Sequence, residues 1–390
     1  MREVVIIEAV RTPMGRRGGT LSGVHPNNLG ARVLNEVVRR AGIESGMVED
    51  VVFGCVTQAG EQAANAARNV LLTADFPYEV PATTVDRQCG SGQQAIHFAA
   101  NLIQAGTCDI TIGGGVESMS RVPIGVNITQ GPGFPFNAEM LAKYPLTSQG
   151  IAADEIAARW GIDRAEADEF ALESYEKAKR ARDDGRFERE ILPIDVTLEG
   201  LPATVKTDEG IRDTSLEKLA SLQPSFRPDG VHHAGNSSQI TDGSAAVLLM
   251  AREKADELGL KARARIVAQA VVGSDPVLML TGPIIATPKV LKKAGLELKD
   301  IDLIEINEAF ASAVLAWKRE CKPDMKKVNV NGGAIALGHP LGCSGARLIT
   351  TLVHEMRRRA PQEKRPYYGL ATLCVGVGQG EATIVEWLGS

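Results

Sequence analysis

Four reactive side chains stand in glycine-rich surroundings far apart along the chain. Cys89 lies in "VDRQCGSGQQAIH", Asn307 in "EINEAFA", His339 in "NGGAIALGHPLGCSGAR" and Cys374 in "LATLCVGVGQG". A thiol and an imidazole are the nucleophile and general base of acyl transfer when they meet in space. Cys89 follows the strand-like "PATTV" and precedes Gly90-Ser91-Gly92 and the helical "QQAIHFAANLIQAG". Unpaired N–H groups and the positive end of the macrodipole at such a helix start favour a thiolate. Small neighbours let a substrate approach the backbone. Packing is the commoner task of a cysteine, but the polar approach Asp86-Arg87-Gln88 and the glycines point to chemistry. His339 stands in a Gly-His-Pro turn, where a structural and a catalytic histidine are equally expected. For Cys374, at the end of an apolar run before spaced glycines, packing and chemistry both stay open. Asn307 ends the apolar "IDLIEI" either as a helix cap or as an amide that orients a water or donates to an oxyanion.

The elements that must position these groups follow from the hydrophobic pattern. Short β-branched runs end in glycine, as in "DITIGGGVES", and alternate with helix-period segments such as "NLGARVLNEVVRRAG", an α/β pattern with buried strands. The stretch "LGARVLNEVVRRAGIESGMVEDVVFGCV" has the same order of features as "ATPKVLKKAGLELKDIDLIEINEAF". The likeness continues, because "CGSGQQAIHFAANLI" matches "GCSGARLITTLVHEM" and "DITIGGGVES" matches "YGLATLCVGVGQGEATIV". The chain therefore reads as a duplicated α/β unit. If the copies pack about a pseudo-twofold, equivalent helix starts approach each other and bring His339 within hydrogen-bond reach of Cys89. Between the copies the sequence turns Pro/Gly-rich and charged, with "ADEIAARWGIDRAEADEFALESYEKAKRARDDG" expected as solvated helices on an excursion from the core. The expected division is an N-terminal α/β domain of residues 1–119 plus 240–268, a loop domain of 120–239, and a C-terminal α/β domain of 269–390.

Composition excludes several other classes. A chain of 390 residues has room for two or three domains and a large core. Its net charge of −5 leaves no basic excess for a nucleic-acid backbone. "REVVIIEAVRT" lacks a basic n-region followed by a long apolar h-region, and no apolar run approaches the roughly 18 residues of a membrane span, so a cytoplasmic protein is expected. The six cysteines form no CxxC pair and no tight Cys/His cluster, so reduced thiols are expected and no metal site.

Taken together, "CGSG", "NEAFA", "GHPLGCSGAR" and "LCVGVGQG", in this order over nearly the whole chain, resemble the thiolase family, the acetyl-CoA acetyltransferases and 3-ketoacyl-CoA thiolases. The resemblance implies duplicated α/β domains in a five-layered α-β-α-β-α core with an inserted loop domain that binds CoA. It implies that Cys89 carries the acyl group as a thioester and that His339 activates it. Cys374 would exchange a proton with C2 of acetyl-CoA. Asn307, through a water, and His339 would hold the enolate oxygen, while the amides of Cys89 and Gly376 would hold the tetrahedral intermediate. Arg212 and Ser238 match CoA contacts; Met279, Ala309 and Phe310 match the lining of the acyl pocket and pantetheine tunnel. The reaction implied is ping-pong thiolysis of a 3-ketoacyl-CoA, or the reverse condensation of two acetyl-CoA, with CoA as substrate and no tightly bound cofactor. A homo-oligomer is implied, dimer or tetramer, the latter built through "GVNITQGPGFPFN".

Departures from the family pattern bear on substrate. Short-chain biosynthetic members carry His-Met-Gly where this chain has Ser148-Gln149-Gly150. Asp86 stands where many members have Asn, and Val377 replaces a frequent glycine. These features, with "CGSGQQA" and "SSQITDG", lean toward a degradative or broad-substrate enzyme, with longer or steroid-like chains, rather than a strict acetoacetyl-CoA thiolase. A decarboxylating ketoacyl synthase would use a Cys-His-His set, which the second cysteine and "NEAFA" oppose. A non-catalytic scaffold is opposed by the presence of all four reactive positions.

Overall fold

The computed structural model describes residues 1–389. Its twelve strands are β1 (Val4–Arg11), β2 (Gly15–Arg16), β3 (Asp50–Gly54), β4 (Ala82–Val85), β5 (Ile110–Ser118), β6 (Ile194–Leu198), β7 (Leu201–Val205), β8 (Thr241–Ala251), β9 (Ala264–Gly273), β10 (Ile301–Ile306), β11 (Tyr368–Val375) and β12 (Gln379–Trp387). Strands such as β1, "VVIIEAVR", are buried along their whole length because both faces are covered, which is why they read as continuous rather than alternating apolar runs.

The duplication is visible in the strand order. The N-terminal half runs β4-β3-β5-β8-β1, and the C-terminal half runs β10-β11-β12-β9 with a parallel bridge from Ile304 to Val328 outside β10. By order of appearance both halves read third, second, fourth, fifth, first. Their senses also agree: β3–β5 and β10–β11 are parallel, whereas β5–β8, β8–β1, β11–β12 and β12–β9 are antiparallel. The two first strands meet at Val5–Arg265 and Ile6–Ala264, joining the halves. Helices Pro26–Ala41 and Ala66–Thr73 cover one outer face, and Gly282–Ala294 with Ala311–Cys321 cover the other. Helices Ser91–Gln104 and Leu341–Arg359 lie together between the sheets. The result is the five-layered α-β-α-β-α core.

Two central glycines explain how close the middle helices come. A Cβ on Gly92 would stand 2.7 Å from the Gly342 carbonyl oxygen, and one on Gly345 would stand 2.6 Å from Gln93 Cβ. Gly92 and Gly345 are the matching glycines of the two Ser-Gly pairs, so the helices cross at equivalent points, and only residues without a side chain allow it.

Two expectations are corrected. The boundary at 268/269 falls inside β9, which pairs with β12 along its length and so belongs with the C-terminal copy. The charged helices of the inserted segment are not a solvated excursion. Gln149–Trp160 and Arg164–Asp183 bury Ala152, Ala153, Ile156, Ala167, Phe170 and Tyr175 in the same apolar cluster as Ala311–Cys321. The insertion is also fastened by buried charge: Arg11 in β1 pairs with Glu190 and Asp208, each at 2.6 Å, and Thr351 donates to Glu190 at 3.0 Å. A buried arginine is tolerated because its fork is met by two carboxylates.

Candidate active site

Cys89 sits just before the Ser91–Gln104 helix, with Gly90 as the helix cap. Gln88 before it has a φ of 45°, so the chain turns sharply into the helix. The sulfur is buried among Val56, Met119 and Leu341. Burial pushes the thiol up to about 11, against hydrogen bonds from the Gly376 amide, from its own amide and from the Gln149 side chain; the nearby Glu117 raises it further. The expected lowered thiol is therefore reversed. The donors that lower it are its own amide, the Gly376 amide and Gln149 rather than amides of the helix start, and loss of water outweighs them.

Gly376 lies in the β11–β12 turn, beside Val377 at φ 61° and Gly378 at φ 77°. This turn aims the Gly376 amide at Cys89. Cys374, two residues earlier at the end of β11, is buried, and its thiol is raised by burial and by the adjacent Cys89. The two thiols thus share one pocket, from opposite halves of the molecule.

His339 is oriented by Ser344. The serine hydroxyl donates to the Pro340 carbonyl at 2.8 Å, so it accepts from His339 Nδ1 at 2.6 Å. Nδ1 then carries the proton and Nε2 keeps its lone pair. Nε2 faces Asn307 Nδ2 at 3.3 Å. In the structure the His339 ring pairs with Asn307 and Ser344. Leu341, two residues on, packs in the Cys89 cluster. Burial, with help from Arg347, pushes His339 down to about 3, which keeps the imidazole neutral. Asn307 is buried and caps nothing, since the following helix starts at Ala311. Its main-chain N–H donates to Thr372 O at 3.0 Å, which fixes it against β11. Its Oδ1 has no protein partner and is free to hold a water.

With the thiol high and the imidazole low, neither group titrates between about pH 6 and 9. The rate of acyl transfer to the enzyme is expected to stay flat across this range, its acid limb displaced below the ordinary histidine value because the base form persists as pH falls. Single-turnover acylation against pH checks this; an inflection near 6.5 contradicts it.

Several positioning groups carried no sequence signal of their own. Glu117, at the end of β5, accepts from Val56 N, Thr57 N, Gln62 Nε2 and Gly342 N at 2.8–3.0 Å, tying the wall around Cys89 to the turn after His339. Glu308 accepts from Ser174, Asn329 and Ile335 N, locking "NEAFA" to the inserted segment. Ser344 is foreshadowed only by the repeated Ser-Gly pair. Gln93 and Gln94 also find partners: Gln93 Nε2 donates to Thr383 Oγ1 at 2.7 Å, and Gln94 Oε1 accepts from Arg87 Nε at 2.7 Å.

The residues expected to touch CoA and the acyl chain are partly assembled. Ser238 N donates to Ala309 O at 2.9 Å, and Ser237 bridges to Phe310, so these three positions adjoin. Met279, at φ 37°, shares an apolar cluster with Ala309, Phe310 and Cys374. Arg212 is exposed; it lies over the Tyr175 ring at 5.2 Å and donates to the Tyr175 hydroxyl at 2.8 Å. Among the described residues no group of three or more His, Cys, Asp or Glu is placed to hold a metal.

Comparison with known proteins meets this geometry. The model of the thiolase N-terminal domain matches residues 4–253, and that of the thiolase C-terminal domain matches 260–387. This chain belongs to the thiolase family. A 3-ketoacyl-CoA thiolase of Bacillus subtilis is 45% identical over 99% of this chain and 100% of its own length. A steroid 3-ketoacyl-CoA thiolase of Mycobacterium tuberculosis is 46% identical over 100% of this chain and 95% of its own. The crystal structure of the Bacillus anthracis acetyl-CoA acetyltransferase superposes with a TM-score of 0.91 at 42% identity, covering 100% of this chain and 99% of that one. The thiolase is thus an acyltransferase, and its two matched domains are the two copies of the strand order described above.

Proposed function

We propose that this thiolase cleaves 3-ketoacyl-CoA substrates with CoA, degradatively and over a broad range of chains, through an acyl thioester on Cys89. The observation that carries the reading is the meeting of two buried thiols, Cys89 and Cys374, beside the Gly376 amide, in a molecule whose His339 is neutral and tautomer-fixed. Cleavage expels a carbon leaving group, so one nucleophile is insufficient: the departing enolate needs stabilisation and then a proton. In the proposed sequence His339 Nε2 takes the Cys89 proton as sulfur attacks the 3-keto carbon. The Cys89 and Gly376 amides hold the tetrahedral oxygen. The C2–C3 bond then breaks, Asn307 with its water and His339 hold the enolate oxygen, and Cys374 protonates C2. CoA then attacks the thioester, its thiol proton passing to the Cys374 thiolate, and the departing Cys89 sulfur takes back the proton held by His339. Condensation is the same path reversed.

Ser238, Met279, Ala309 and Phe310 are assigned to the pantetheine and acyl channel, and Arg212 to the nucleotide end of CoA. The breadth of substrate is supported by Ser148-Gln149-Gly150 in place of His-Met-Gly and by the relatives named for 3-ketoacyl-CoA and steroid 3-ketoacyl-CoA thiolysis. We divide the chain into an N-terminal unit ending before β9, an inserted CoA-binding unit of 120–239, and a C-terminal unit from β9 onward. A homo-oligomer is supported by the open edge of β4 and by exposed Leu72, Tyr78 and Phe98 on that side of the molecule. Free cysteines suit the reducing cytoplasm.

The test is intact mass after mixing with acetyl-CoA. A single acetyl adduct is expected, mapped to the Cys89 peptide and discharged by CoA. An adduct elsewhere, or none, rejects the assignment.

A further inference from the structure

Gln149 stands where short-chain biosynthetic members of the family carry methionine. In the fold it is the first residue of the Gln149–Trp160 helix, which carries it from the inserted segment to the catalytic pocket. Its side-chain amide draws the Cys89 thiol down, against the rise that burial causes. The same amide nitrogen stands 3.3 Å from the point where a Cβ of Gly376 would lie. It is therefore beside both a reacting atom and the main-chain amide assigned to the acyl oxygen.

The helix start is held firmly enough for this contact to be built in. Ser148 caps it, accepting from Ile151 N at 3.4 Å. Gly150 has no room for a side chain because the Phe226 ring lies against its Cα. Phe226 meets Phe310 edge-on at 5.7 Å, and Phe310 meets the His232 ring at 5.5 Å. His232 Nδ1 in turn bonds Asp154, one turn further along the Gln149 helix, at 2.7 Å. Rings from the inserted segment and from "NEAFA" thus clamp the helix at Gly150 and Asp154. The clamp aims Gln149.

We propose that Gln149 is a catalytic residue: its side-chain amide donates a hydrogen bond to the Cys89 sulfur as negative charge develops there, both when the thiol attacks and when the acyl group leaves. The proposal rests on Cys89 being the acyl carrier. In the acetyl half-reaction the Cys89 S–H bond and the acetyl-CoA C–S bond break, a Cys89 C–S bond forms, and the proton passes by way of His339 to the departing CoA thiolate. The Cys89 and Gly376 amides must turn from sulfur to the acyl oxygen once that carbonyl becomes tetrahedral. Gln149 is the remaining donor for the sulfur itself. A methionine at this position has no N–H to offer, so the substitution that distinguishes this chain changes the chemistry of the pocket as well as its shape.

The experiment compares the enzyme with Gln149→Met, which keeps the length of the side chain and removes the donor, and with Gln149→Glu, which replaces the donor by an acceptor. Iodoacetamide alkylation of Cys89 is followed against pH, with the modified peptide identified by mass, alongside single-turnover acylation by acetyl-CoA. Loss of a hydrogen bond to a charged group predicts an alkylation midpoint raised by about one unit and acylation slowed about tenfold in Gln149→Met. Gln149→Glu should shift further in the same direction, with KM for acetyl-CoA unchanged in both. Profiles that coincide in all three proteins, with Cys89 labelled throughout, overturn the role of Gln149 alone. Failure to label or acylate Cys89 in the unsubstituted enzyme overturns the acyl-carrier reading itself.

Discussion

Cys89→Ala is expected to lose thiolysis and condensation by on the order of 10⁴-fold or more while remaining folded. The reason is geometric. The Gly376 amide, the Gln149 amide and the Cys89 amide all converge on one sulfur, and no other thiol in the pocket is placed at that point. Cys374 is nearby but sits at the end of β11 on the other half of the molecule, so it cannot inherit the donors. The structural cost is small. Removing a sulfur from the Val56, Met119 and Leu341 cluster should cost about 1 kcal/mol, the range for deleting one buried heavy group. Steady-state rates with circular dichroism as the folding control check this. Substantial residual turnover in a folded Cys89→Ala protein would place the acyl carrier elsewhere.

Cys374→Ala is the second large effect, and it should split the reaction in two. Acylation of Cys89 by acetyl-CoA uses the thiol, the imidazole and the amide donors, all untouched by the substitution, and is expected to stay near its original rate. Exchange of the C2 protons of acetyl-CoA with deuterium needs the second thiol and is expected to fall by about 10³-fold, within the range of a lost general acid–base group. Its thiol is raised both by burial and by Cys89, so it is held protonated until an enolate or C2 proton confronts it. That state suits a proton donor to carbon. Nuclear magnetic resonance of acetyl-CoA in heavy water, read beside the acetyl adduct by mass, measures both halves on one protein. Normal exchange in Cys374→Ala would remove its assigned role.

Much of this architecture is legible in the sequence. The repeated helix, turn, strand and Ser-Gly helix of the two halves correspond to an identical strand order, and Gly92 and Gly345 are equivalent because both lie where the central helices touch. Patterns of this kind survive in sequence because burial on both faces of a strand, and close approach of two backbones, each demand particular residue types locally. Other features left no such trace. Helix Arg164–Asp183 has charges spread densely enough to read as solvated, yet Ala167, Phe170, Ala171, Tyr175 and Ala178 form a narrow buried stripe. Small residues make that stripe easy to miss, because alanine carries little hydrophobic signal.

The sequence by itself determined the reactive types and their order, a thiol before a helix, an amide after a strand, an imidazole in a glycine turn and a second thiol before spaced glycines. It also determined the duplicated α/β plan, since both are written in local pattern. Only the tertiary structure decided the protonation of the pair. A helix start argues for a thiolate, but burial leaves Cys89 at about 11 and His339 at about 3, and burial is a property of everything packed around a group rather than of its neighbours in the chain. Only the tertiary structure, likewise, brought Gln149 to the sulfur and Ser344 to the imidazole. Gln149 lies sixty residues from Cys89 and on a different unit, so the contact between them exists only after the rings of Phe226, Phe310 and His232 have closed around its helix.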